Sequence, residues 1–462
     1  MKTTLMFSLT IVCLAGVAGC WPEKRVNWSP NGKRAAVIAA DGLYLCNPDG
    51  QLSSRLAENV RRVAWTPDSL QLIAVRQVAV NTWAEASRFF SAEQGASIAS
   101  AAELLFTEAM TYDGDWKAFP ARSLHDLSPG GSTAALIHLR EVHGPQLAGK
   151  IGKQWEDLAN AELNGWVLEA IAIREQGGPT PTELARSMDE YLSVSVAPDG
   201  QALALVQPNG EDGANLLVLA LDGSGRGPVV VAQRVSAYPD WSADGRSIVY
   251  ATTPVRKDNT MVMGSISRRT VRGDDGALLS EMPAAEDLAG IAYMDETRVR
   301  CLRDGRIVFA SVEVSIPCTS KDLNPRGSLF AIDPERQATV SRLVPRESET
   351  ALGEYVHLFE VSPDEKHICV PFGSGQISVL TLATGDVWRI PDRPIENDQL
   401  RSAPCWRGDN ELCFATPPAE GDETKRAQMV LCKLDFEKRQ ASMRTISKDW
   451  DEAKVKEFLS PK

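Results

Sequence analysis

Cys20 is the residue best placed to do chemistry. It follows Val17, Ala18 and Gly19 at the end of an apolar run that begins at Leu5. A cysteine attacks as its thiolate, and neighbours as small as Ala18 and Gly19 leave both the sulfur and the peptide bond before it open to an enzyme. Such a thiolate can take a diacylglycerol, and the bond ahead of it can be cut. The remaining cysteines are in a different setting. Cys13 lies inside the apolar run, and Cys46, Cys301, Cys318, Cys369, Cys405, Cys413 and Cys432 fall mostly in apolar, strand-like segments with no C-x-x-C pair. The five histidines show no ligand spacing, so no metal site is expected. Buried free thiols are expected for most of the seven, although Cys413 and Cys432 could meet across a hairpin.

Other chemical motifs are incomplete. Gly373-Ser-Gly375 lacks the spacing of a G-x-S-x-G nucleophile elbow, and no room for an α/β domain follows the last repeat described below. Gly273-Asp-Asp-Gly276 lacks the alternating ligands and distal Glu of a calcium hand and reads as a plain loop. No glycine-rich phosphate loop precedes a helix. The adjacent carboxylates Asp189 and Glu190 read as solvated surface, and Asn27-Trp-Ser29 carries no weight as a glycosylation acceptor. No catalytic residue, cofactor-binding residue, metal ligand or cofactor is therefore assigned.

The N-terminus supplies the context for Cys20. Lys2 precedes the apolar run, which is too short to span a membrane and has the layout of a secretory signal. The ending Val17-Ala18-Gly19-Cys20 resembles the lipobox of bacterial lipoproteins. That resemblance implies cleavage of residues 1–19, lipid on Cys20 and a lipidated linker over 20–27. It also places the chain in the cell envelope, and Trp21, where an Asp would retain the protein in the inner membrane, favours the outer membrane facing the periplasm. The net charge of −12 argues against a nucleic-acid partner, because affinity for phosphate comes from Lys and Arg. It gives no support for electrostatic adhesion to anionic lipid.

What positions everything else is a recurring phrase. It reads Trp28-Ser-Pro-Asn-Gly32, Trp65-Thr-Pro-Asp-Ser69, Leu127-Ser-Pro-Gly-Gly131, Val196-Ala-Pro-Asp-Gly200, Trp241-Ser-Ala-Asp-Gly245 and Val361-Ser-Pro-Asp-Glu365. Decayed copies stand at Tyr293-Met-Asp-Glu296 and Trp406-Arg-Gly-Asp-Asn410. Pro sets φ at the first corner of a tight turn, Asp or Asn bonds back to the local backbone, and Gly takes the left-handed position. A short apolar strand follows most copies. Repeats of roughly 40–45 residues built from such strands indicate a β-propeller with one four-stranded blade per repeat. At these residues the chain resembles the TolB-type, WD40-like propeller family over most of 24–445. The resemblance implies an all-β propeller and leaves function open.

Eight phrases imply eight blades, with seven as the alternative if the helix-rich stretch 76–190 supplies only one. The propeller is expected over 28–445, with Trp28, Trp65, Trp241 and Trp406 buried between blades. Helical inserts are expected near 82–110, which is rich in Ala, Glu and Leu, and near 145–163, where Leu147, Ile151, Trp155 and Leu158 keep helical spacing. A third is expected near 180–192, behind the capping pattern Thr180-Pro-Thr-Glu183. The tail 446–462 is expected to dock on its own domain. Two functions fit: a membrane-anchored, non-catalytic binding or assembly platform with an envelope protein as partner, or a propeller-type lyase or hydrolase with a site in the central channel. For the anchor the expected outcome is definite. Metabolic labelling with a fatty acid marks the wild type, and Cys20→Ser loses both the label and membrane fractionation.

Overall fold

The phrase makes strands turn, and the turns make blades. In the computed structural model, residues 24–451 are described apart from 115–118, 120, 153–162, 174–180, 210–212, 222, 224–226, 253–262, 293–296, 313–326, 337–338, 346–347, 349–355, 357, 372–375, 391–401 and 417–427. Blade I holds β1 (Val26–Trp28), β2 (Ala35–Ala39) and β3 (Gly42–Cys46). Blade II holds β4 (Val60–Trp65) and β5 (Gln71–Ala79), then the helices α1 (Trp83–Ala86), α2 (Ala92–Thr111) and α3 (Pro129–Ile151), then β6 (Asn164–Ala172) and β7 (Pro181–Ser187). Blade III is β8 (Ser193–Val196), β9 (Ala202–Pro208), β10 (Ala214–Ala220) and β11 (Val229–Val235). Blade IV is β12 (Asp240–Trp241), β13 (Ser247–Ala251), β14 (Met263–Thr270) and β15 (Glu286–Ala292). Blade V is β16 (Val299–Cys301), β17 (Ile307–Val312), β18 (Gly327–Asp333) and β19 (Thr339–Arg342), and one pairing, Ala292 with Val312, joins it to blade IV. Blade VI is β20 (Glu360–Val361), β21 (His367–Pro371), β22 (Ile377–Thr381) and β23 (Val387–Arg389). Blade VII is β24 (Ser402–Trp406), β25 (Glu411–Thr416), β26 (Gln428–Asp435) and β27 (Gln440–Thr445).

The protein is thus an all-β propeller of seven blades, not eight. The excess phrase is Leu127-Ser-Pro-Gly-Gly131, which opens a helix instead of turning a strand. Ser128 caps α3, its side chain accepting from the Gly131 N–H, and Pro129 takes the first helical position. A Ser-Pro pair suits a helix start as well as a turn, so composition alone could not separate the two. Tyr293–Glu296 lies outside the described residues. The fifth blade turns instead at Cys301-Leu-Arg-Asp-Gly305, with Gly305 at φ +88°. This copy has lost the aromatic, the Ser and the Pro, but it keeps the Asp and Gly that make the turn.

Within the phrase the hydrogen bonds are those its residue types imply. Hydroxyls of Ser29, Thr66, Ser242 and Ser362 donate to Asn31, Asp68, Asp244 and Asp364 at 2.6–2.8 Å. Each of those oxygens also accepts the backbone N–H two residues on. Ser69 and Glu365 stand at φ +63° and +59° where other copies carry Gly, a conformation that costs a residue with a Cβ. Turns of neighbouring blades touch: the Asn31 N–H donates to Ser69 Oγ at 3.2 Å and the Arg303 N–H to Glu365 at 2.8 Å. All these turns therefore share one face, the turn face. The chain begins β1, and leaves β5 for the helices, at the opposite or lower face.

Both helical inserts belong to that single β5–β6 connection, and they form a satellite core of their own around Ile98, Leu105, Ile137 and Leu147. The stretch 82–110 is helical as expected, with capping boxes at Thr82/Glu85 and Ser91/Gln94. The next helix starts earlier than expected, at Pro129, and Trp155 and Leu158 lie outside the described residues. The third insert is not a helix. Pro181–Ser187 is the outer strand β7, pairing with β6, and Leu184 and Ala185 pack towards blade III. Pro181 costs the sheet nothing at the first residue of an edge strand, and a partner strand outweighs a local helix signal.

The tryptophans of the phrase wedge the blades together. Trp65 Nε1–H donates to the Asn27 carbonyl at 2.8 Å, Trp241 to Ser195 at 3.4 Å and Trp406 to Glu360 at 2.9 Å. Each acceptor is the residue just ahead of the preceding blade's phrase. The ring closes between blades VII and I by side-chain contacts. The Arg25 N–H donates to Ser402 Oγ, Arg407 Nε to the Gly32 carbonyl, and Trp450 Nε1 to the Gly50 carbonyl at 2.6 Å. Trp450 thus brings residues 446–451 onto blade I, and 452–462 lie outside the described residues. Trp241 is 3 % exposed, and Trp241→Ala should destabilise the fold by about 3–5 kcal/mol in denaturant titration.

Candidate functional site

Charge collects where the inner strands of blades IV, V and VI approach the axis. The residue ahead of the phrase is Asp240 in blade IV, Arg300 in blade V and Glu360 in blade VI. Arg300 Nη1 donates to Asp240 Oδ1 at 3.2 Å, and the Cys301 N–H donates to Asp240 Oδ2 at 2.9 Å. Arg298, on the same strand segment as Arg300, donates to the Glu360 carboxylate and to the Phe359 carbonyl at 2.8 Å. Its guanidinium lies 4.9 Å from the centre of the Tyr238 ring, a cation–π contact. Lys24 Nζ reaches Glu360 Oε1 at 2.9 Å. Lys24 leads into blade I and Glu360 belongs to blade VI, so this pair crosses blade VII. Between them runs β24, whose residues Ser402, Ala403, Pro404 and Cys405 are all small or compact.

The two carboxyls respond in opposite directions. Burial pushes the Asp240 carboxyl up, and Arg300 offsets this only in part. Burial acts on Glu360 as well, but Arg298, Lys24 and Arg300 together outweigh it and hold the carboxyl well below the usual range. The thiols of Cys301, Cys369 and Cys405 are pushed up by burial, which leaves little thiolate to attack anything. A cavity of about 270 Å³ adjoins the cluster, lined by Lys24, Trp28, Arg300, Glu360 and Trp406. Arg303, Pro363 and Glu365, residues of the phrase turns, form its outer wall, so it opens on the turn face.

The positions read from sequence fare unevenly. Cys20 and Cys318 lie outside the described residues. The other six cysteines are free. Cys413 faces Leu431 and Cys432 faces Leu412, so the hairpin does not bring those two together, and Cys405 is the register partner of Cys413. Gly273–Gly276 is a simple turn, closed by the Gly276 N–H on the Gly273 carbonyl at 3.0 Å. Asp189 is not solvated surface. It is a half-buried cap of α3, accepting from the Gly130 N–H at 2.6 Å and from Ser128 Oγ at 2.8 Å, and burial pushes its carboxyl up. In the insert, His143 Nε2 and His138 Nε2 lie 2.8 and 3.5 Å from Glu103, tying α3 to α2. Among the described residues no group of three or more His, Cys, Asp or Glu side chains is arranged to hold a metal. Sequence reasoning missed Asp240, Arg298, Arg300 and Glu360. A signal did exist, since three of them are charges directly ahead of a phrase, where the strand is otherwise buried.

No family model matches the chain, and no curated protein does. Among solved structures it is similar to TolB from Acinetobacter baumannii, at 17 % identity over 61 % of this chain and 59 % of that one, with a TM-score of 0.39. The chain thus spans less than two thirds of TolB. It is also similar to the hydrazine synthase of Kuenenia stuttgartiensis, at 10 % identity over 92 % and 96 % with a TM-score of 0.48. An oligogalacturonate lyase in complex with manganese matches at 9 % identity over 90 % and 89 %, with a TM-score of 0.47. Likenesses this distant carry no argument about function.

The ion pairs make a test of their own. Glu360 is 17 % exposed at its side chain, and Glu360→Gln strands Arg298 in a buried position, which should cost about 3–5 kcal/mol. A carboxyl held below its unfolded value adds stability that is complete above about pH 4.3 and is lost as pH falls through the folded value. The stability gap between wild type and Glu360→Gln, followed by denaturant titration, should therefore be widest at neutral pH and shrink in acid.

Proposed function

We propose that this protein is a lipid-anchored, non-catalytic binding platform of the cell envelope, whose propeller engages a protein partner on the same membrane. One observation carries the reading. The ionisable groups gathered at the axis are committed to one another across blades: Glu360 to Lys24 and Arg298, and Asp240 to Arg300 and the Cys301 N–H. Such pairing stiffens a scaffold and leaves none of these groups poised for a substrate. A channel lyase or hydrolase is the second reading. Asp240, with its carboxyl pushed up by burial, favours it, but both oxygens of Asp240 are already engaged.

The topology supports a particular orientation. Only three residues separate Cys20 from Lys24, a reach of roughly 13–14 Å, and Lys24 sits at the axis with its side chain on Glu360. With lipid on Cys20, the lower face lies against the membrane, near its centre and not at the rim. The helical insert leaves β5 at that same face, so it stands beside the membrane too. No helix among the described residues is long and apolar enough to cross a membrane. The outer membrane facing the periplasm remains the proposed site, because Trp21 and not Asp follows Cys20.

Photocrosslinking tests the whole reading. Leu104 on α2 and Val142 on α3 are exposed positions of the insert, and Leu70 is an exposed position in a turn of the turn face. Probes at 104 and 142 should capture a membrane-associated protein from intact cells, a probe at 70 should not, and Cys20→Ser should abolish the capture. Equal capture from Leu70, or undiminished capture with Cys20→Ser, would overturn it.

A further inference from the structure

We propose that the cavity at the turn-face mouth of the channel is a binding site for an oxyanion, a carboxylate group on a small ligand or chain end. This inference goes beyond the platform reading and does not depend on the anchor. The charges come first. Lys24, Arg298 and Arg300 stand against Asp240 and Glu360, three cations to two carboxylates, while Arg303 and Glu365 at the mouth balance each other. In a chain of net charge −12 this is a local excess of positive charge in a partly dry place, and a buried charge needs a counter-charge.

Unused donors are the second and independent observation. Trp28 Nε1 and Arg300 Nε are buried N–H groups with no hydrogen-bond partner among the described residues, and both side chains line the cavity. Trp28 is 8 % exposed. Its three counterparts, Trp65, Trp241 and Trp406, each donate to the residue ahead of the preceding phrase. For Trp28 the equivalent acceptor is the Cys405 carbonyl across the closing seam, and that bond is not made. A buried donor left unpaired costs about 1–3 kcal/mol, which a ligand oxygen would recover. A neutral acceptor could meet the donors but would leave the excess charge unanswered, and a cation would add to it.

Size and walls narrow the class. At about 270 Å³ the cavity is smaller than the roughly 300–1,000 Å³ of drug-sized pockets, so it takes a single headgroup with little attached. The indoles of Trp28 and Trp406 flank it with flat apolar surface, and Arg407 lies 5.2 Å from the centre of the Trp28 ring on the seam side. Indole and guanidinium N–H donors and an ammonium among the lining residues suit the oxygens of a carboxylate, although an inorganic phosphate shares enough of that chemistry to compete.

Calorimetric titration of the purified full chain tests the site with three probes: acetate, inorganic phosphate and, as the neutral isostere, acetamide. Saturable binding of acetate and none of acetamide is expected. Arg300→Gln, which removes the Nε donor with the charge, and Trp28→Phe, which keeps a ring without the N–H, should each weaken binding about ten-fold or more. Thermal unfolding checks that the variants fold, and if Arg300→Gln does not, Trp28→Phe alone decides. Binding of phosphate without acetate would overturn the carboxylate assignment. Equal binding of acetamide, no saturable binding by any probe, or affinities unchanged in the folded variants would overturn the site.

Discussion

A four-stranded blade has two apolar faces and can bury neither alone, so each blade depends on the register of its neighbour. Here that register is set by one recurring contact, an indole N–H on the carbonyl just ahead of the preceding blade's phrase. The contact fixes three things together. It sets the height of one inner strand against the next, closes the apolar face behind the tryptophan, and gives the buried indole N–H an acceptor it would otherwise lack. Middle strands such as Ala35–Ala39 and His367–Pro371 are buried from end to end, because both of their faces are covered once the register is set.

Where the phrase lacks its tryptophan, an arginine on an inner strand takes over. Val196 stands in the aromatic position of blade III, and Arg62 of blade II donates to the Tyr191 carbonyl at 3.0 Å. Cys301 stands there in blade V, and Arg300 pairs with Asp240 of blade IV. Val361 stands there in blade VI, and Arg298 pairs with Glu360. The substitution is not equivalent in energy. An indole wedge gains from burying area, whereas a buried ion pair roughly breaks even with an apolar replacement and is costly only when half of it is lost. Apolar clusters still bury the facing sides of blades IV to VI, but at their inner strands the contacts specify geometry more than they add stability, and they carry charge to the axis as a by-product.

The fold was legible in the sequence because turn chemistry is local. Asp, Gly and a preceding hydroxyl encode the turn within five residues, and even the fifth copy keeps Asp304 and Gly305. Blade number was less legible, since Ser128-Pro129 serves a helix start with the same atoms that elsewhere turn a strand. The outer strand Pro181–Ser187 was hidden for a related reason: its identity is decided by β6, which lies beside it in space and carries no mark in its own residues. The charged axis was hidden by distance. Asp240, Arg300 and Glu360 stand at steps of sixty residues in sequence, and only the packing of consecutive blades makes them neighbours.

That closure has a cost in time. Trp450 meets Gly50 and Arg25 meets Ser402 across 400 and 377 residues of chain, whereas contacts within a blade span tens. Closing a loop of that length costs about 2 kcal/mol more in chain entropy than closing one of blade size, and nothing repays it until the last blade exists. Blade I is synthesised first and completed last. Until residues near 405–450 arrive, the face that carries Val26, Trp28 and Cys46 has no cover, so the oldest part of the chain is the part longest exposed to misassembly. A ring sealed by side chains alone behaves as an open spring until its final turn is in place.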